Sequence, residues 1–264
     1  MLQLAGAGAA ALMALSACSS SSDDSAKSNK SDSSSASPKL SGEVTVFAAA
    51  SLKESFTALG KEFEKDNPGT KVSFNFGGSD TLAASITSGA PADVFAAASP
   101  KTMAIVTDKK DAVGTPATFV RNQLEIATLP GNPDKVASLK DLTKSGLKVV
   151  LCDKTVPCGA AAQKALDASS LKLTPVSYEE DVKSALNKVV LKEADAAVVY
   201  KTDVKAAGGK VEGVEFPESA KAINDYPITL LKNAQHAEGA KAFIALVQSA
   251  EGQKVLSEAG FLKP

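Results

Sequence analysis

The chain has 264 residues, 44% of them hydrophobic, enough for one large core or two smaller ones, and its formal charge of −1 comes from lysines and acids interleaved throughout. No basic stripe with interleaved aromatics is present, which argues against nucleic acid, and the absence of tryptophan argues against a ligand that stacks on indoles, as sugars do. One histidine and three cysteines cannot assemble a zinc site from the usual ligand spacings.

The chain opens on "MLQLAGAGAAALMALSAC", an apolar run ending in small residues and Cys18, which reads as the h-region and cleavage site of a signal peptide. It is too short to span a bilayer as a stable helix. "LSAC" has the form of a bacterial lipobox, so Cys18 is expected to be lipidated and to anchor the protein on the outer face of the cell membrane. No lysine or arginine precedes the run, and the true start is therefore expected upstream. The following stretch, 19–40, is serine-rich and polar and reads as a disordered tether.

From Glu43 onward, strand patterns alternate with helical ones: strand "EVTVFAAA", helix "LKESFTALGKEFEKDN", strand "KVSFNFG", helix "DTLAASITSG", strand "ADVFAAA", helix "PKTMAIVTDK". Such alternation predicts βαβ units and a mostly parallel sheet covered by helices. A second series follows: strand "NQLEIATLP", helix "SLKDLTKSG", strand "LKVVLCD", helices "CGAAAQKALDASS" and "EDVKSALNKVVLKE", and strand "ADAAVVYKTDV". "INDYPITLLKN" reads as a returning strand, and "AEGAKAFIALVQSAEGQKVLSEAGF" as a closing helical hairpin. Two α/β series with a late return predict two lobes, 41–120 with 226–264 and 121–225, joined near Val120 to Asn122 and Asn224 to Tyr226. Ligands of such sheets bind beyond the carboxyl ends of the strands, here between the lobes.

The inventory for catalysis is thin. His236, in the turn "KNAQHAEG", reads as a solvated surface side chain, and "SGLK" at Ser145 to Lys148 sits in a turn entering a strand rather than at a helix start. The strand-to-helix turns say more. Ser51, Ser79, Cys158 and Val182 each stand at or near the first turn of a predicted helix, where backbone N–H groups lack partners within the helix. Any one such serine is most simply an N-cap, but several helix starts aimed at one point make an anion site.

"VTVFAAASL", "GGSDTLAASITSGAPADVFAAAS", "VPCGAAAQKAL" and "EDVKSAL" with "ADAAVVYKTD" resemble, in order, the motifs of the periplasmic molybdate-binding proteins of ABC importers. The similarity runs over nearly everything from Gly42 to Pro264, and "FAAASL" with "GAPADVF" carries it most specifically. The resemblance implies an α/β, two-lobed periplasmic-binding-protein fold of the type II kind. It also implies that a tetrahedral oxyanion is held by Ser51 and Ser79 of one lobe and by Cys158, Val182 and Tyr200 of the other, the first two of these through backbone N–H. Molybdenum would be present only inside that oxyanion, molybdate or tungstate, and no cofactor is implied. The partners implied are an ABC permease and its ATPase, the protein itself being a monomer and not an enzyme.

Gly78 and Asp80 stand where the family often has further small hydroxyl residues, and Asp80 is expected to face away from the ion, capping a helix that begins at Thr81. In an oxidising compartment, Cys152 and Cys158, six residues apart across "DKTVP", are expected to form a disulfide. The hexapeptide "VFAAAS" occurs twice, ending at Ser51 and at Ser99. Leu52 after the first has a free N–H, whereas Pro100 after the second has none, so Ser99 is expected to cap its own helix and not to bind. Open alternatives are a sulfate or phosphate receptor of the same shape, or a secreted hydrolase using Ser51, for which Lys53 is wrongly placed as a base.

Overall fold

The computed structural model describes residues 40–264. The predicted signal sequence, Cys18 and all but the last residue of the tether lie outside the described residues. Among the described residues, no helix is long and apolar enough to cross a membrane.

The first series is β1 (Gly42–Ala49), a 3-10 turn (Ala50–Leu52), α1 (Lys53–Asp66), β2 (Thr70–Gly77), α2 (Ser79–Thr87), β3 (Val94–Ala96), α3 (Pro100–Asp108) and β4 (Ala112–Asn122). The second is β5 (Leu124–Thr128), a 3-10 turn (Leu139–Thr143), β6 (Val149–Cys152), α4 (Pro157–Ala168), β7 (Ser177–Glu179), α5 (Val182–Val190), β8 (Ala196–Tyr200), α6 (Lys201–Ala207) and β9 (Glu212–Val214). The chain then returns through β10 (Asn224–Leu231) to α7 (Ala237–Gln248) and α8 (Ala250–Glu258).

These strands form two five-stranded sheets, ordered β2-β1-β3-β10-β4 and β7-β6-β8-β5-β9. β1, β2 and β3 are parallel, as are β6, β7 and β8, and each sheet contains one strand reversed relative to these, β10 in the first and β5 in the second. The molecule is thus α/β and two-lobed. β4 and β10 pair up to Asn122↔Asn224, and just beyond that pair the chain passes out of the first sheet into β5 and back again.

Apolar alternation places Val44, Val46 and Ala48 on the side covered by α1 and α7, where Phe56, Phe63 and Phe243 meet edge-on. Phe47 and Phe95 point to the other face, under α2 and α3. The second lobe has its own core, built on Ile126, Val150, Val198 and the inner faces of α4 and α5, and Ala50 from the first lobe packs against it. Both sheets therefore bury both faces, as the continuous apolar strands require.

Several expectations are corrected. The strand expected over 194–204 ends at Tyr200, where Asp203 Oδ2 accepts from Tyr200 N (3.2 Å) and turns the chain into α6. "SLKDLTKSG" is only a 3-10 turn with Ser138 as its cap, and β4, β7 and β9 were not anticipated. α2 begins at Ser79, not at Thr81, and Asp80 makes no cap hydrogen bond, because it already lies within the first turn. His236 is half-buried: its ring covers Gly42, whose φ of +96° suits glycine and where a side chain would collide with the imidazole.

Candidate functional site

Register explains why two serines share one place. Ala49 of β1 pairs with Gly77 of β2, and Ser51 and Ser79 each follow two residues later, at the carboxyl ends of adjacent parallel strands. Ala48 likewise pairs with Ala96 of β3, so Ser99 occupies the place equivalent to Ser51. There the chain diverges. Ser99 Oγ accepts from Thr102 N (3.2 Å), with Pro100 at the first position of α3, and its side chain is committed to that cap.

One cavity lies where the carboxyl ends of all six parallel strands converge. It is lined from the first lobe by Ala49, Ala50 and Ser51 after β1, Gly77, Gly78 and Ser79 after β2, and Ala98 after β3. The second lobe supplies Val156, Pro157 and Cys158 after β6, Asp181 and Val182 after β7, and Tyr200 at the end of β8. The structure thus brings Ser51, Ser79, Cys158, Val182 and Tyr200 together, and leaves Ser99, Asp80 and His236 off the wall. The room open to the centre of a water molecule is about 20 Å³, which suits one small ion and not a sugar or a peptide.

The polarity of the wall follows from its hydrogen bonds. Ser79 Oγ accepts from Ala98 N (3.0 Å); a backbone N–H can only donate, so the serine hydrogen is left to point elsewhere. Tyr200 Oη accepts from Asn224 Nδ2 (2.7 Å), and the same amide nitrogen faces the Pro157 carbonyl (3.3 Å), which fixes which end of the amide is the donor. Burial, more than any neighbour, holds the Tyr200 phenol well above its ordinary pKa, so it keeps its hydrogen. The N-termini of α2, α4 and α5 point at the same space. Pro157 has no N–H, so the first donor of α4 is Cys158 N. In α5, Asp181 Oδ1 accepts from Lys183 N (2.7 Å) and Ser184 N (3.0 Å), leaving Val182 N outside the cap.

Asp181 is the one carboxylate on the wall, and both its oxygens are engaged, Oδ2 with Ser184 Oγ (3.2 Å). The cavity therefore offers donors and no free carboxylate acceptor. Asp80 Oδ1 is buried without a partner outside the wall, beside Gly78.

A disulfide joins Cys152, the last residue of β6, to Cys158 in the first turn of α4, with Cα atoms 5.8 Å apart. Gly159 is required next to it, since a Cβ there would run into the Asp153 and Cys152 carbonyl oxygens. Closing so short a loop constrains the unfolded chain by about 2 kcal/mol. Replacing both cysteines by serine should lower stability by about that much in chemical denaturation, with a smaller effect on ligand affinity because the Cys158 N–H survives. A melting curve identical to wild type would contradict this.

The lobes are held together beside the cavity. Lys183 Nζ, on α5, lies 2.8 Å from Glu54 Oε2 on α1 and 3.0 Å from Asp203 Oδ1, an ion contact rather than an aligned hydrogen bond. Burial opposes the Lys183 charge, but Asp203 and Glu54 outweigh it and raise its pKa. Burial pushes Asp203 up to about 6 against the pull of Lys183, so the pair is charged at neutral pH. Nothing in the sequence pointed to this latch.

The family described as bacterial extracellular solute-binding protein matches residues 44–262. The molybdate-binding protein ModA of Mycobacterium tuberculosis is 43% identical over 221 residues, covering 84% of this chain and 85% of that protein. Among solved structures, the substrate binding domain of a putative molybdenum ABC transporter from Clostridium difficile is 30% identical, with a TM-score of 0.63, covering 85% of this chain and all of that one. The sulfate-binding protein SubI of Mycobacterium tuberculosis matches with a TM-score of 0.71 at 18% identity, covering 83% and 86%, and shows the shared fold alone.

Proposed function

Because this chain belongs to the family of bacterial extracellular solute-binding proteins, we propose that it captures molybdate, and also tungstate, between its lobes and delivers the ion to an ABC importer. It performs no chemistry on the ion. The observation that carries the reading is the uniform polarity of a cavity sized for one ion: hydroxyls of Ser51, Ser79 and Tyr200 and backbone N–H groups of Cys158 and Val182 surround it, and the only carboxylate on its wall is occupied. Such a set replaces the hydration shell of an anion that carries no proton. A hydrolase reading gains nothing, since the near neighbour of Ser51 Oγ is the Tyr226 hydroxyl, a phenol whose pKa burial raises further.

Selectivity tests the reading. Phosphate near neutral pH keeps a proton that a wall of donors leaves unpaired, at a cost of about 1–3 kcal/mol. Sulfate escapes that cost but is smaller than molybdate, so donors held at a fixed spacing close on it poorly. Calorimetry at pH 7 is expected to give molybdate and tungstate tight, sulfate weak and phosphate weakest. Phosphate binding as tight as molybdate would overturn the assignment.

Export and anchoring through Cys18 rest on "LSAC" and on the extracellular family, Cys18 itself lying outside the described residues. Incorporation of labelled fatty acid should be lost in Cys18→Ala, and label retained by that variant would remove the anchor from the proposal.

A further inference from the structure

We propose that Tyr226, held by Asn122, orients the Ser51 hydroxyl as a hydrogen-bond donor toward the cavity and so makes the site discriminate against oxyanions that carry a proton. This rests on the oxyanion reading above and assigns the origin of its selectivity to residues outside the wall.

The chain of bonds can be given a direction. Gln123 N donates to Asn122 Oδ1 (3.0 Å), and because a backbone N–H can only donate, the opposite end of that amide is its nitrogen. Asn122 Nδ2 then donates to Thr202 Oγ1 (2.8 Å) and to Tyr226 Oη (3.3 Å). Tyr226 Oη is thereby an acceptor, and its own hydrogen needs a partner, because the side chain is wholly buried. Ser51 Oγ lies 2.8 Å away. Tyr200, whose ring meets that of Tyr226 edge-on, already accepts from Asn224 Nδ2, which leaves Ser51 Oγ the better acceptor. Tyr226 therefore donates to Ser51, and the Ser51 hydrogen is free for the ion. Ser79 is set the same way by Ala98 N, so both serines are polarised alike, one by backbone and one by this side-chain relay.

Without the Tyr226 hydroxyl, Ser51 Oγ regains an open acceptor position, and its hydrogen is no longer directed. Tyr226→Phe in the purified full-length protein is expected to weaken molybdate binding roughly tenfold. Phosphate, which can now donate to Ser51 Oγ, should bind no worse than to wild type, so the molybdate-to-phosphate ratio falls by a similar factor. In a Ser51→Ala background, Tyr226→Phe should have no further effect on molybdate. Asn122→Asp, which puts an acceptor where the relay needs a donor, must shift the ratio in the same direction and provides the test if Tyr226→Phe does not melt cooperatively. Equal losses for molybdate and phosphate, or additive losses with Ser51→Ala, would overturn the relay and leave only a packing role for Tyr226. Wild-type protein that binds no molybdate would instead overturn the receptor reading.

Discussion

Replacing Gly78 by alanine is expected to lower affinity for every oxyanion by roughly ten- to a hundredfold while leaving the stability of the ion-free protein unchanged. Gly78 sits at φ −59°, ψ 130°, a conformation open to any residue, so alanine does not strain the backbone of the first lobe. Within the first lobe a Cβ would lie 2.9 Å from Asp80 Oδ1, the end of a side chain that can shift, so the contact that cannot give lies across the cavity. A Cβ at Gly78 would lie 2.7 Å from the Glu180 carbonyl oxygen of the second lobe, and a backbone oxygen cannot rotate away as a side chain could. The lobes must then stop short of their closed contact, and donors from the two sides cannot engage the ion together. Titration calorimetry reads the loss, and small-angle scattering should show an expanded particle even at saturating molybdate. Wild-type affinity in Gly78→Ala would mean that closure to this distance is not needed for binding.

Ser79→Ala and Ser51→Ala should each cost on the order of 1.5–3 kcal/mol of binding, roughly ten- to a hundredfold, the range for a hydrogen bond to a charged partner. Ser79 removal carries a second cost, since Ala98 N loses its acceptor in a buried place. Ser99→Ala supplies the control. It should destabilise the protein by about 1 kcal/mol through the lost cap of α3 and leave affinity alone. Equal affinity losses at Ser51 and Ser99 would show that the two copies of "VFAAAS" play the same part, against the geometry of their hydrogen bonds.

Much of this arrangement was legible in the sequence because it is local. Strand ends followed by helix starts are written in contiguous residues, and Ser51, Ser79, Cys158, Val182 and Tyr200 line one wall. What escaped is non-local or short, β4 excepted, where Gly114 and Pro116 interrupt the strand pattern. β7 and β9 have three residues each, too few to show alternation. α6 was hidden because it has only seven residues and follows β8 with no turn between them, and the carboxylate that turns the chain caps a tyrosine rather than a serine or threonine. Ser51 meets Tyr226 from 175 residues away and Lys183 meets Glu54 from 129, and no periodicity in a single chain pairs such residues. Gly78 read as a missing hydroxyl; its reason is the Glu180 carbonyl facing it.

Donation by backbone has a consequence for how freely this wall can drift during descent. At Cys158 and Val182 the ion would meet an N–H that nearly every residue possesses, so the chemistry there is inherited as the position of a helix start and not as a side-chain identity. Selection on ion capture is blind to most exchanges at these two places, proline excepted. The side chain at 158 is therefore free for another use, and here it forms one half of the bridge to Cys152.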